Sequence, residues 1–180
     1  SLVPRPDGTV GRFPHLVERA KPGLIAVTKD GRRFTNEANS YHDMMGDLFR
    51  QVPPGETVEA WLVCDHGFQR RFGLGAARPR PFPLGGMIAN GYLKRGRTIE
   101  ELARACGIEP AGLAATIAAY NGPAREGRDP QFKRGESAYN RIQGDPDREP
   151  NPCVAPIEHG PYYAVRIVPG SLGTFAGLRT

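Results

Sequence analysis

The chain has 180 residues, 39% of them hydrophobic, and its 24 basic and 19 acidic residues leave a formal net charge of +5. That length suits one domain with a sizeable hydrophobic core. No apolar run approaches the ~18 residues of a membrane span, and the first residues lack the apolar region of a signal peptide. We therefore expect a soluble protein with no transmembrane segment. The 23 glycines and 18 prolines predict frequent turns rather than long helices.

The distribution of charges and cysteines indicates which binding partners and which cellular compartment to expect. The basic residues are scattered and are not interleaved with aromatic residues, so nucleic acid is not an expected partner. Cys64, Cys106 and Cys153 are far apart and form no CxxC pair, which predicts free thiols and a reducing, cytoplasmic location. The four histidines show no metal-ligand spacing, so we expect no metal site.

The N-terminal part of the chain predicts strands separated by turns. Residues 1–22 contain four prolines and are expected to form an extended entry segment. The apolar run 23–28 predicts a strand. After a turn at 29–32, which contains Asp-Gly, residues 33–35 are expected to return as the second strand of a hairpin.

A helix and a strand are predicted next. Asn39 or Ser40 is a candidate N-cap for a helix with Met44, Met45, Leu48 and Phe49 on one face, and Pro53-Pro54-Gly55 ends it. The strongest predicted strand is 58–64. Asp65 is expected to cap the short helix that follows it.

Two long loops, at 73–91 and 122–161, are predicted in the second half of the chain because Gly and Pro interrupt every periodic pattern there. The remaining patterns predict a strand at 92–95, a helix that starts at Thr98 and ends at Gly107, a helix that opens at Pro110, and a strand at 162–168.

Motifs for known chemistry are absent from these patterns. Residues 73–78 begin like a dinucleotide fingerprint but lack its third glycine, so a flexible loop is the expected structure. The sequence contains neither G-x-S-x-G nor a Walker A motif. Composition and spacing alone therefore predict a soluble α+β domain without an assigned function.

Three segments resemble those of a known protein family and therefore indicate a function. They are Gly31-Arg32-Arg33-Phe34-Thr35-Asn36-Glu37, Ser40-Tyr41-His42-Asp43, and the C-terminal stretch 162–178. Together they resemble the capping, substrate-binding domain of the fumarate reductase/succinate dehydrogenase-like flavoproteins, with 3-oxosteroid dehydrogenases as the more similar branch. Residues 140–146 and 151–152 also resemble that branch. The resemblance implies an α+β cap-domain fold with a small mixed or antiparallel sheet, helices and long irregular loops.

The resemblance also implies a domain organisation. Residues 1–180 would form the substrate-binding cap domain, inserted in an FAD-binding domain that lies outside these residues. FAD would be bound mainly by that other domain, so the 180 residues alone are expected to be inactive and to retain no FAD. The implied partners are the FAD-binding domain of the same parent chain and a small hydrophobic substrate.

Two positions separate the branches. Fumarate reductases have a pair of substrate-binding histidines where this chain has Leu172-Gly173, and an arginine proton donor where it has 41–43. Steroid dehydrogenases have a tyrosine base that Tyr41 matches. The resemblance thus implies that Tyr41 takes a proton next to a ketone while hydride passes to flavin N5. A phenol with a pKa near 10 is a weak base and needs a positive field or a proton relay, for which the adjacent His42 is a candidate.

The resemblance assigns further residues to the site. The expected substrate-binding residues are His42, Asn36, Glu37, Leu172, Gly173 and Thr174, and the expected cofactor-binding residues are Gly173, Thr174, Gly177 and Leu178. For Asn36 and Glu37 the alternatives are ordinary turn and cap residues, or residues that orient the loop of Tyr41. For the Gly-rich tail the alternative is a flexible end.

Two other functions remain open at this point. One is a fumarate reductase-like enzyme for a small unsaturated carboxylic acid, which arginines converging near Tyr41 would favour. The other is a non-catalytic ligand-binding module, which the absence of a concave face between 36–45 and 170–178 would favour. An apolar wall beside Tyr41 would instead favour desaturation of an oxosteroid-like ketone.

Overall fold

The computed structural model describes residues 1–170. Its strands in chain order are β1 (Leu2–Pro4), β2 (Val10–Arg12), β3 (Leu24–Val27), β4 (Ala60–Cys64), β5 (Leu93–Gly96) and β6 (Tyr162–Ile167). β1 and β2 form a small antiparallel hairpin. The other four strands form one antiparallel sheet in the order β3-β4-β6-β5.

Within residues 1–170, six α-helices and one 3₁₀ helix surround these strands. The α-helices are α1 (Tyr41–Gln51), α2 (His66–Phe72), α3 (Gly85–Ala89), α4 (Ile99–Cys106), α5 (Pro110–Ala124) and α6 (Ala138–Gln143), and the 3₁₀ helix is Glu18–Ala20. The predicted α+β class with a small antiparallel sheet is confirmed.

The four-stranded sheet is buried on both faces. Val27 and Val63 on one face belong to an apolar cluster with residues of α4 and α5. Leu62 on the other face belongs to a second cluster with Leu48 of α1 and Phe68 of α2. Because successive side chains of a strand point to opposite faces, the all-apolar run of β4 supplies both clusters at once. α1 is therefore held firmly against one face of the sheet.

Side chains cap the helices where the sequence predicts helix starts. Ser40 Oγ accepts a hydrogen bond from the Asp43 amide at 3.1 Å, and Asp65 Oδ1 accepts one from the Phe68 amide at 3.0 Å. Each bond satisfies an amide that the first helical turn leaves without a partner. The cap at Ser40 fixes Tyr41 as the first residue of α1.

The N-terminal 22 residues differ from the expected extended segment. They contain the β1–β2 hairpin and the 3₁₀ helix. The hairpin turns at Asp7-Gly8, where Gly8 has φ +79° and Asp7 Oδ1 accepts a hydrogen bond from the Thr9 amide at 2.9 Å. The prediction was wrong because the prolines outweighed this Asp-Gly turn signal.

Residues 33–35 also differ from their predicted structure. Only one isolated bridge joins Arg33 to Val27, and β3 pairs with β4 instead. The turn at Asp30-Gly31 is present, with a hydrogen bond of 3.0 Å from the Thr28 amide to the Arg32 carbonyl. The chain leaves the sheet after this turn because the Arg33 side chain enters a buried ion-pair cluster.

Both predicted long loops contain helices and anchored side chains. The 73–91 region includes α3, and the 122–161 region includes the end of α5 and all of α6. Arg134 and Asn140 in the second region are 0% and 1% exposed. That region is therefore packed against the rest of the protein through polar contacts, which apolar periodicity does not reveal.

Candidate functional site

A buried ion-pair cluster lies directly before α1 in the sequence. Arg33 donates to both oxygens of Glu37 at 2.9 and 2.7 Å and to both oxygens of Asp129 at 2.9 and 2.8 Å. Arg134 reaches the same Glu37 carboxylate at 3.2 Å. The Ala26 amide of β3 adds a hydrogen bond of 3.0 Å to Glu37 Oε1. Glu37 thus connects the sheet with the 122–161 region.

The cluster is electrostatically self-contained. Burial alone would raise the pKa of Glu37, but the facing Arg33 and Arg134 guanidiniums lower it. Burial would likewise lower the pKa of Arg33, but Glu37 and Asp129 raise it. Glu37 and Arg33 therefore both favour their charged forms inside the protein, where losing one partner is costly.

Asn36 is also engaged inside the protein. Its Nδ2 donates to the Phe132 carbonyl at 3.1 Å and to Asn140 Oδ1 at 2.9 Å, and its Oδ1 accepts from the Ala38 amide at 3.0 Å. Asn36 and Glu37 are thus held by internal partners in the segment that leads to Tyr41. Their placement fits the alternative that they orient the Tyr41 loop, and a direct substrate contact by either residue stays a prediction.

Arg19 joins this segment to α1. It is 3% exposed, and its Nη1 contacts the Glu37 carbonyl at 2.7 Å, the Asn39 carbonyl at 3.2 Å and Met44 Sδ at 3.3 Å. Its Nε donates to the His15 carbonyl at 2.5 Å. Arg19 therefore fixes the backbone just before Tyr41 and contacts the helix one turn after it.

An open cavity of about 390 Å³ lies beside Tyr41. Its wall is mainly apolar and combines the β1–β2 hairpin, the segment before Arg19, the first turn of α1 and the end of β6. The lining residues are Ser1, Leu2, Arg12, Phe13, Pro14, His15, Leu16, Arg19, Tyr41, Met44, Met45, Ile167, Val168, Pro169 and Gly170. Tyr41, Met44 and Met45 share one helix face because residues three and four apart lie side by side.

The cavity accounts for some of the predicted site residues. Tyr41 lines it and is half-buried, together with Val168 to Gly170, the last described residues before the Gly-rich tail. His42 is exposed and does not line it. The predictions for Leu172, Gly173, Thr174, Gly177 and Leu178 lie outside the described residues 1–170. The site role of every one of these residues stays a prediction.

Sequence reasoning missed the contribution of the N-terminal segment to this cavity. His15 and Arg19 come from residues that were expected to be extended, and Met44 and Met45 were predicted only as part of one apolar helix face. The available signal was local: Asp7-Gly8 predicts a hairpin that folds residues 1–12 back on themselves. Which side chains then meet Tyr41 is a property of the tertiary structure.

A chain of hydrogen bonds fixes His15 at the cavity wall. Its Nδ1 lies 2.5 Å from Glu18 Oε1, its Nε2 lies 2.8 Å from Ser1 Oγ, and Ser1 Oγ lies 2.9 Å from the Tyr92 hydroxyl. Burial lowers the pKa of His15, although Glu18 partly opposes the shift. Burial therefore favours the neutral imidazole, and both of its ring nitrogens are engaged.

The 73–78 loop does not have the form of a phosphate cradle. A Cβ on Gly73 would lie 2.8 Å from Pro79 Cδ, and one on Gly75 would lie 2.2 Å from the Tyr92 hydroxyl oxygen. Both glycines therefore accommodate the protein's own atoms and leave no space for a diphosphate. The 73–78 loop therefore does not fit the dinucleotide part of FAD, whereas the open cavity beside Tyr41 can admit an apolar ring.

Comparison with known proteins assigns the family. A family profile described as "FAD binding domain" matches residues 1–180. The chain therefore belongs to this family of flavoproteins, and FAD is the cofactor of the family.

Individual relatives agree with this assignment. The chain is 45% identical over 96% of its length to a 4-oxocyclohex-2-ene-1-carboxylate 5-dehydrogenase of Sinomonas cyclohexanicum, covering 29% of that protein. It is 41% identical over 92% of its length to a 3-oxosteroid 1-dehydrogenase of Mycolicibacterium smegmatis, covering 30% of that protein.

A solved structure shares the fold. The crystal structure of 3-ketosteroid delta1-dehydrogenase from Sterolibacterium denitrificans, in complex with 1,4-androstadiene-3,17-dione, superimposes with a TM-score of 0.85 at 32% identity. The match covers 96% of this chain and 31% of that one. The predicted resemblance to fumarate reductase-like and oxosteroid dehydrogenase-like flavoproteins is confirmed.

The chain spans about a third or less of the length of these relatives. The activity of a whole enzyme is therefore a proposal for this chain. Within residues 1–170, no helix combines the length and the apolar character that crossing a bilayer requires.

Proposed function

We propose that this chain is the substrate-binding cap domain of an FAD-dependent dehydrogenase that desaturates an oxosteroid-like cyclic ketone. The observation that carries the proposal is the position of Tyr41, which starts a capped helix and opens onto a mainly apolar cavity. Sequence identity to dehydrogenases of a 3-oxosteroid and of a 4-oxocyclohexene ring supports the substrate class. The FAD-binding domain of the same parent chain would complete the site from the other side.

Tyr41 would act as the general base. A carbonyl group acidifies the C–H bond next to it, and the Tyr41 phenolate takes that proton. The electron pair that remains would form the new double bond as hydride leaves the adjacent carbon, and FAD held by the other domain would supply the hydride acceptor. Base catalysis of this kind typically accelerates a reaction about 10²- to 10⁴-fold.

The apolar wall has its own part in the reaction. Leu2, Phe13 and Met45 would cover a hydrocarbon ring and exclude water from the reacting carbon atoms. Exclusion of water strengthens every charge interaction with Tyr41. The His15–Glu18 pair would hold the N-terminal part of the wall in place.

The two alternative functions receive less support. Arg12 and Arg19 are the arginines that line the cavity within residues 1–170, and Arg19 already donates to three backbone carbonyls. That arrangement differs from a pair of arginines that converge on a small dicarboxylate. A concave face between α1 and the end of β6 is present, which favours a substrate site over a non-catalytic module.

Proton exchange tests the proposed base directly. In the whole flavoprotein under anaerobic conditions in D₂O, we expect deuterium to enter a 3-oxosteroid at the carbon next to the carbonyl, as followed by ¹H NMR. The Tyr41→Phe variant should lose this exchange while it retains FAD. The matched control is Tyr139→Phe, because Tyr139 is 53% exposed and does not line the cavity. Undiminished exchange in Tyr41→Phe would remove Tyr41 from the mechanism.

A substrate panel tests the ketone class. We expect flavin reduction, followed at its visible absorbance band, with a 3-oxosteroid or a 4-oxocyclohexane ring. Turnover of an unsaturated dicarboxylate with a reduced electron donor, and none of the cyclic ketones, would instead support the fumarate reductase-like alternative.

A further inference from the structure

We propose that Arg12 binds a carboxylate group of the substrate, so that the cyclic ketone on which this enzyme acts is an oxo acid with one ionised carboxylate. The inference rests on the proposed function, which assigns a cyclic ketone to the cavity beside Tyr41, and it specifies a second polar group on that ring. The observation that carries it is a guanidinium that has no partner among residues 1–170 and lies at the mouth of a mainly apolar cavity.

The β1–β2 hairpin places Arg12 at the cavity. Arg12 is the last residue of β2 and lies opposite Leu2 in the ladder, so the two side chains share one face of the hairpin. Both residues line the cavity. The Phe13 amide donates to the Ser1 carbonyl at 2.9 Å and continues the pairing beyond Arg12. Because Arg12 lines the cavity and is also exposed, its side chain lies where the cavity meets the solvent.

The two arginines of the cavity wall differ in what they already bind. Arg19 donates to three backbone carbonyls, and the Glu18 and Glu37 carboxylates interact with its charge. The side chain of Arg12 makes no hydrogen bond and no ion pair with any of residues 1–170. Within the described wall, Arg12 is therefore the cation that is available to a ligand.

The rest of the described wall supplies no negative charge. Its lining residues within 1–170 include neither Asp nor Glu. Glu18 does not line the cavity, and its carboxylate lies 2.5 Å from His15 Nδ1. The charge of Arg12 is therefore unopposed at the mouth of the cavity and favours an anionic group there. The apolar side chains of Leu2, Phe13 and Met45 favour a hydrocarbon ring, so the wall as a whole suits a ring with one anionic group.

A single carboxylate is the anion that suits this position. The guanidinium presents parallel N–H donors that match the two oxygens of a carboxylate. A phosphate monoester, with a charge of about −1.5 to −2 at pH 7, would exceed the charge of one cation. At the open mouth a carboxylate keeps part of its hydration, which limits the cost of desolvation while the ring lies against the apolar wall. A second carboxylate would have to enter that wall without a cation to bind it, which argues against a dicarboxylate.

The test compares a charged ketone with its neutral counterpart. The probes are 4-oxocyclohexanecarboxylate, which is ionised at pH 7, and its methyl ester. Anaerobic flavin reduction in the whole flavoprotein gives kcat and KM for each probe. We expect kcat/KM of the acid to exceed that of the ester about tenfold, mainly through a lower KM, as a charge-assisted hydrogen bond allows. Added salt should reduce this difference, because ions screen an exposed charge pair.

Variants of Arg12 test the residue itself. Arg12→Gln should lower kcat/KM about tenfold for the acid, mainly by raising KM, and less than about twofold for the ester. Arg12→Lys keeps the charge without the paired donors and should fall between the two. The matched control is Arg5→Gln, which removes the same charge from the same hairpin. Arg5 is exposed, lies over Gly11 and does not line the cavity, so we expect both probes to be unaffected. FAD content and melting temperature establish that each variant is folded.

The outcomes separate this inference from the proposed function. Equal kcat/KM for the acid and the ester, or an Arg12→Gln variant that loses as much with the ester as with the acid, would overturn the role of Arg12. An equal loss in Arg5→Gln would overturn it too, because the effect would then come from overall charge. Flavin reduction by a neutral 3-oxosteroid but by neither probe defeats this inference alone. If no cyclic ketone reduces the flavin, the proposed function fails and this inference fails with it.

Discussion

The segment from Arg33 to Met45 has two halves, one that contacts the protein interior and one that borders a cavity. Arg33, Asn36 and Glu37 point into the protein and end in internal partners. Tyr41 and Met45, only a few residues later, border an open cavity. The N-cap at Ser40 is the point where the chain changes from one role to the other.

This contrast shows how a conspicuous polar motif can support a site without forming its surface. Ion pairs of Glu37 with two arginines fix the backbone in front of α1. The cap then determines the direction in which the helix leaves and therefore where Tyr41 lies. The buried half is expected to control stability, and the open half is expected to control turnover.

Tyr41→Phe gives the largest effect expected from the open half. Loss of the phenol should lower kcat about 10²- to 10⁴-fold, because the proposed base is removed. The melting temperature should change little, since the half-buried ring is retained. Steady-state kinetics and thermal unfolding of the same preparation check both statements. A comparable loss in Tyr139→Phe would show that the effect is not specific to position 41.

Glu37→Ala should show the reverse pattern in the buried half. Its removal leaves Arg33 and Arg134 with uncompensated charge, so we expect a loss of about 3–5 kcal/mol in the free energy of unfolding. Urea unfolding of the whole protein measures it. The control is Glu126→Ala, which breaks an exposed pair with Arg128 and should leave the unfolding midpoint nearly unchanged. An equally small effect at Glu37 would contradict the structural role of the cluster.

Gly31→Ala tests the turn that sends Arg33 out of the sheet. Gly31 has φ +78°, and an added Cβ would lie 2.3 Å from the Leu113 amide nitrogen. We expect a loss of about 3 kcal/mol or more, from backbone strain and a clash together. Gly55→Ala isolates the strain, because Gly55 has φ +90° but open space around it. Equal losses at the two positions, measured by urea unfolding, would argue against the close packing of this turn on α5.

Acidification should weaken the buried half in a defined direction. The pKa of Glu37 is lowered in the folded protein, so below the ordinary pKa of 4.5 the unfolded chain takes up a proton that the folded one refuses. Glu37 therefore stabilises the fold above pH 4.5, and this contribution is lost as the pH falls through the lowered pKa. Its slope is at most about 1.4 kcal/mol per pH unit. The wild type should accordingly show a steeper fall in unfolding free energy than Glu37→Gln between pH 5 and 3, a range set by the direction of this shift. Parallel curves would argue against it.

His42→Ala should give the smallest effect. The side chain is exposed and does not line the cavity, so kcat and KM should stay within about twofold of the wild-type values. Steady-state kinetics with a 3-oxosteroid provide the measurement. A tenfold rise in KM would instead support the predicted substrate contact and would extend the open half beyond the described cavity.

Much of the secondary structure follows from local patterns. The apolar run before Cys64, the caps at Ser40 and Asp65, and the Gly107 stop each depend on neighbouring residues only, and the structure confirms them. The prediction of a strand at 33–35 was wrong because the ion pairs of Arg33 with Glu37 and with the distant Asp129 outweigh local β propensity. The prediction of an extended segment at 1–22 was wrong because it gave too little weight to the turn signal Asp7-Gly8.

The candidate site also combines a residue that the sequence predicts with residues that it does not. Tyr41 was found by resemblance, since its motif is contiguous in the sequence. His15 and Arg19 carry no such signal, because their place beside Tyr41 depends on how the hairpin folds back onto α1 and the end of β6. The pairing of Arg33 with Asp129 joins residues that lie almost a hundred positions apart.

The sequence by itself determined the four strands of the main sheet, the capped starts of α1 and α2 and the family, because these depend on residues adjacent in the chain. Only the tertiary structure decided that Glu37 is a buried anchor, that Tyr41 opens onto an apolar cavity, and that Arg19 lies near it. The physical reason is that burial and charge are set by all neighbours in space. Those neighbours come from segments that no local pattern connects.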